Sequence, residues 1–129
     1  MDNLKITVVS DTHYYSKKNG ITGLAFQQEN SRSTNLIKDS EEVLKAFFKQ
    51  IAEDKTSDLV LISGDLTKNG ELESHKSFVK ELYKLKENGK KIFVITACHD
   101  YNEWSYAYKN DERIQVEGTD FDELCEMYR

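Results

Sequence analysis

The chain has 129 residues, 38% of them apolar and 32% charged, with a net charge of −5. That length suits one domain with a real core and not two. The interspersed charge without a basic stripe argues against nucleic-acid binding, and no apolar run approaches membrane-spanning length. The first strand is expected over residues 4–10, β-branched and apolar, with no basic or apolar leader before it. A cytoplasmic location follows as an expectation, with Cys98 and Cys125 as reduced thiols. Residues 14–39 form a long polar segment without a clean period, broken by an apolar island at Leu24-Ala25-Phe26.

A helix is expected next, with Ser40 as N-cap, Glu41 and Glu42 in its first turn, and an apolar stripe of Val43, Leu44, Phe47, Phe48 and Ile51. Residues 58–63 predict the second strand. A second helix over 71–88 is expected to bury Leu72, Phe78, Val79, Leu82 and Leu85, with Gly89 as its stop. The third strand is expected over 91–96. Residues 101–118 read as irregular, with Trp104, Tyr106 and Tyr108 more suited to covering a core edge than to lining a cleft. A last helix over 121–129 would be capped by Thr119 or Asp120. The order strand, helix, strand, helix, strand implies an α/β fold, a parallel-sheet βαβαβ core.

Each strand runs out into residues of metal-ligand type. Asp11-Thr12-His13 sets a carboxylate and an imidazole two residues apart, on one side of an extended backbone. Gly64-Asp65 follows the second strand, and Ala97-Cys98-His99-Asp100 the third. Ligands of open parallel sheets sit beyond the carboxyl ends of the strands, where all three clusters fall. Singly, Asp11 and Asp65 could be ordinary turn residues; jointly they point to a metal-dependent site. Thr67 and Asn69 could touch a phosphate or simply shape their loop. His75, on a helix beside Leu72, Val79 and Leu82, reads as a packing histidine.

The ordered series D-x-H, G-D and x-x-H-D resembles the calcineurin-like metallophosphoesterase family, whose signature ends in G-N-H-[DE]. The loop Gly64-Asp65-Leu66-Thr67-x-Asn69-Gly70-Glu71 with Ser74-His75 is similar to a bacterial phosphodiesterase-like branch. The resemblance implies that Asp11 and His13 hold a first metal, that Asp65 bridges two metals, and that His99 assists the leaving oxygen, with Asp100 orienting it. It implies two divalent cofactor ions, with Mn, Fe, Zn and Mg not distinguished, and a phosphomono- or phosphodiester substrate. Cys98 stands where the family has a ligand asparagine, offering sulfur, which favours zinc. Ala97 replaces a glycine whose freedom could serve a tight turn.

The family's later histidines, including G-H-x-H, have no counterpart here, so one metal or none is expected to be fully ligated. Residues 1–129 are accordingly expected to form a truncated N-terminal half of the family's four-layer αββα sandwich. One sheet face would lack its cover and favour a homo-oligomer. The expected function is metal-dependent phosphoester hydrolysis in impaired form. The competing reading is a catalytically inactive metal- or phosphate-binding or interaction module, or a product of gene decay.

Overall fold

The computed structural model describes residues 4–101 and 104–129. Three parallel strands, β1 (Ile6–Val9), β2 (Leu59–Ser63) and β3 (Lys91–Ile95), form one sheet in chain order, with Val9 beside Ile62 and Ile62 beside Val94. Between β1 and β2 lie α1 (Leu24–Arg32) and α2 (Ser40–Glu53); α3 (Leu72–Glu87) joins β2 to β3. A hairpin of β4 (Tyr106–Lys109) and β5 (Glu112–Gln115) and a short α4 (Phe121–Met127) complete the chain. No helix among the described residues is long and apolar enough to cross a membrane.

Alternation along the strands decides where the core lies. Val9, Val60 and Ile62 turn to one face and pack against Leu44, Phe48 and Ile51 of α2 and Phe78, Leu82 and Leu85 of α3. Ile6, Val8, Phe93 and Ile95 turn to the other and remain exposed, Val8 and Ile95 each at 65%. This parallel sheet, of a kind that usually buries both faces, is covered on one. Val43 and Phe47, expected in the stripe of α2, are also exposed, because only the 44, 48, 51 line meets the sheet. Val79 of α3 is half-buried rather than core.

A smaller core of Tyr15, Phe26, Ile37 and Tyr108 holds two elements that the sequence reading missed. Residues 24–32, expected as an island in a loop, are helical. Residues 106–115, within the stretch expected to be irregular, are a hairpin; residues 102 and 103 of that stretch lie outside the described residues. The hairpin turns on Asn110 and Asp111, both left-handed (φ 51° and 64°), the conformation of a two-residue type I′ turn. The Asp111 carboxylate accepts from the Leu24 N–H at 2.7 Å, and so caps α1, whose own N-cap residue, Gly23, has no side chain. Each missed element thus helps to order the other across 87 residues of sequence.

One expected cap is displaced, and at α4 the choice between two is settled. Ser40 lies inside α2, its hydroxyl donating toward the Tyr15 carbonyl and accepting from the Tyr15 N–H, which ties the helix to the segment after β1. Asp120, not Thr119, caps α4 in a reciprocal capping box with Glu123. Thr119 is buried, with its hydroxyl on the carbonyls of Gly70 and Asp100.

Candidate metal centre

The pairing of β1 with β2 continues past the strand ends as a ladder between loops. The N–H groups of Asp11, His13 and Tyr14 donate to the carbonyls of Gly64, Asp65 and Leu66, at 3.2, 2.9 and 2.9 Å. Asp11, His13 and Asp65 all have positive φ (54°, 40° and 49°). Left-handed backbone costs a non-glycine residue about 1–3 kcal/mol and persists where surrounding structure enforces it. Here the strain falls on three residues singled out from the sequence as metal ligands.

Ligand atoms of Asp11, His13 and Asp65 lie within 4.8 Å of one another, and those of Asp65, Cys98 and His99 form a second group of the same size. His13 Nε2 is 3.8 Å from Asp11 Oδ1, too long for a hydrogen bond. Two donors on one ion, each bonded at about 2.0–2.2 Å, are spaced by roughly 3–4 Å, so that gap suits a shared cation. Cys98 Sγ is 3.8 Å from Asp65 Oδ1, the same oxygen that accepts the His99 N–H at 3.1 Å. The His13 and His99 rings meet edge to face, 4.9 Å between centroids. The donor set of carboxylates, imidazoles and one thiol therefore fits divalent cations.

Asp100 is fully buried. One carboxylate oxygen accepts from the N–H groups of Leu66 (2.8 Å) and Thr67 (3.0 Å), the other from Ala97 N–H (2.9 Å). It staples the loop after β2 to the loop after β3, and with them Asp65 to Cys98 and His99. Ala97 has φ −133° and ψ −171°, ordinary extended backbone, so the glycine expected there is not required by conformation. The demanding position is Gly64, at φ +85°, where a Cβ would stand 2.5 Å from that of Ala97.

The next layer explains Thr67 and His75. Thr67 is buried; its hydroxyl accepts from Gly70 N–H and donates toward the His99 carbonyl, so it builds the loop. His75 is fully buried in the first turn of α3. The Asp100 carbonyl, 3.0 Å from Nε2, only accepts, so Nε2 carries the proton and Nδ1 accepts from the Tyr128 hydroxyl at 2.7 Å. Burial lowers the His75 pKa, partly opposed by Asp100, and keeps the ring neutral. The packing role expected of it holds. Nothing in the sequence marks Thr119 or Tyr128 as members of this support, since their partners lie far along the chain.

Two clefts border the centre. One of about 430 Å³ runs from Asp11, Thr12 and His13 along Val8, Leu36, Val43 and Phe47. The other, about 240 Å³, is lined by Asn69, Cys98, His99, Tyr101 and Trp104. Of the three aromatics expected to cover a core edge, Tyr108 is buried and Tyr106 half-buried under Arg113, whereas Trp104 is exposed at this second cleft. Residues 4–127 match the family described as calcineurin-like phosphoesterase. The chain belongs to that family. No curated protein matches this member of the family. Its α/β architecture, with the parallel sheet ending at the donor cluster, is the expected fold, and the family's chemistry is metal-dependent phosphoester hydrolysis.

Proposed function

We propose that the strand-end cluster is a metal-dependent phosphoesterase centre acting on a phosphomono- or phosphodiester, with low turnover in this chain. The observation that carries the reading is the membership of Asp65 in both donor groups. One shared carboxylate offsets two cations held a few ångströms apart. Asp11, His13 and Asp65 would hold one ion, with Asp65 again and Cys98 at the other. Divalent ions bound there supply a water acidic enough to serve as nucleophile near neutral pH and positive charge for the phosphate oxygens.

The protein's own part is placement. His99 is oriented by its Nδ1 contact with the Lys68 carbonyl (2.8 Å), and its imidazolium form would hold a proton at Nε2 for the leaving oxygen. Asp100 acts as a positioning residue, since its carboxylate is spent on backbone N–H groups. Low turnover is favoured by the short donor sets: the remaining histidine, His75, is engaged with Asp100 and Tyr128 and serves neither ion. The uncovered apolar face of the β1–β3 sheet supports two linked proposals: this layer is half of a two-sheet sandwich, and the chain self-associates through it.

The test is direct. Metal-stripped protein reloaded with Mn²⁺ is expected to hydrolyse an aryl phosphodiester slowly, with Asp65→Asn lowering the rate by about 10²-fold or more. Failure to bind any divalent ion in equilibrium dialysis, or hydrolysis unchanged by Asp65→Asn, refutes the assignment.

A further inference from the structure

The second donor group differs chemically from the first. Asp11, His13 and Asp65 offer oxygen and nitrogen, whereas Asp65, Cys98 and His99 add sulfur. We propose that Asp65, Cys98 and His99 form a thiolate site selective for zinc-class ions over Mn²⁺ and Mg²⁺, so that the two halves of the centre prefer different metals. The proposal rests on the reading of Asp65 as a shared ligand and adds the identity of the ion class and a ligand role for His99.

Three observations converge. Cys98 Sγ stands 3.8 Å from Asp65 Oδ1 on an exposed residue with no disulfide partner, so the sulfur reaches the centre. His99 Nδ1 lies 2.8 Å from the Lys68 carbonyl, which only accepts. In the neutral ring the proton therefore sits on Nδ1 and the lone pair on Nε2, the arrangement by which outer partners prepare a metal-binding imidazole. Asp100 fixes both loops, so the three donors are held before any ion arrives. A soft thiolate with an imidazole and a carboxylate suits Zn²⁺ or Co²⁺, while Mg²⁺ and Mn²⁺ favour all-oxygen surroundings.

On binding, the S–H bond breaks, the thiol proton passes to solvent and an S–metal bond forms; where the His99 ring is imidazolium, the Nε2 proton leaves to solvent as well. Coordination through Nε2 also removes the position from which His99 would donate a proton. His99 would therefore act as proton donor only while Asp65 and Cys98 alone hold that ion, and a zinc-class ion that also takes Nε2 would lower turnover.

Cobalt titration of the metal-stripped full chain tests this with an optical readout. The expected result is a near-ultraviolet thiolate-to-cobalt absorption that Zn²⁺ abolishes by displacement, that is retained in Cys125→Ser and lost in Cys98→Ser, with far-ultraviolet circular dichroism unchanged. Zn²⁺ affinity should fall about tenfold or more in Cys98→Asn while Mn²⁺ affinity holds or rises. Cobalt binding without the thiolate band, still weakened by Asp11→Asn, overturns the thiolate site and leaves the phosphoesterase centre standing. A band that survives Cys98→Ser overturns it too. Absence of any ion binding to the wild-type chain overturns both.

Discussion

Replacing Asp100 separates a structural staple from a participant in the reaction. Its carboxylate serves three backbone N–H groups, those of Leu66 and Thr67 buried and that of Ala97 part-buried. Asparagine keeps one acceptor oxygen, best placed on the Leu66 and Thr67 pair, and then turns its amide N–H toward that of Ala97. One unsatisfied buried donor costs about 1–3 kcal/mol. Asp100→Ala strands all three and should cost about 3–6 kcal/mol, allowing for partial rescue by water. Against a domain stability of about 5–15 kcal/mol these are large fractions. Urea unfolding of metal-free protein is the assay. With a slope of about 2 kcal/mol/M, Asp100→Asn should lower the midpoint by about 1 M and Asp100→Ala by about 2 M or more. Metal affinity should weaken alongside, because Asp65 and Cys98 lose their common anchor. If both variants unfold within about 0.5 kcal/mol of wild type and lose only turnover, the staple argument is wrong and Asp100 belongs to the chemistry.

Gly64→Ala should destabilise by about 2–4 kcal/mol, because φ +85° is left-handed and the new Cβ would meet that of Ala97 at 2.5 Å; a thermal midpoint unchanged from wild type refutes this. Burial raises the Glu71 pKa, so the folded state holds a proton that the unfolded state loses above about pH 4.3. Stability from that group is present in acid and lost as pH rises, and Glu71→Gln should therefore have the higher urea midpoint at pH 8 but not at pH 4. His75 works in the opposite sense: its lowered pKa makes the unfolded state take up a proton first, and stability should fall as pH drops below about 6.5. A His75→Gln variant that keeps the same acid-side decline shows that another group causes it. Val8→Lys with Phe93→Lys should abolish the self-association proposed for the open sheet face, measured by sedimentation velocity; a wild-type chain that is monomeric at high concentration refutes that proposal.

Local pattern alone was enough to place the parallel core. Strands β1, β2 and β3 were legible because β-branched and apolar runs of four to six residues leave few other conformations, and α2 and α3 because their apolar positions recur at helical spacing. The candidate metal ligands Asp11, His13, Asp65 and Cys98, and the candidate catalytic His99, could be singled out because each follows closely on a strand end, where an open parallel sheet collects its ligands. The short helix α1 was not legible: Phe26 is its buried apolar anchor, and its N-terminus is capped by Asp111 from the far hairpin. The hairpin itself turns on Asn-Asp rather than the stronger Asn-Gly signal.

Sequence by itself thus determined which residue types stand at which strand ends, since that depends on neighbours only a few positions away. The family resemblance already implied a bridging Asp65 and an uncovered sheet face; tertiary structure alone decided that Asp100 binds two loops together rather than facing solvent, that Asp111 of the far hairpin caps α1, and that Thr119 and Tyr128 join the support behind the centre. Those facts depend on distances between segments tens of residues apart, and such distances are set by how the helices and loops pack, not by any local preference.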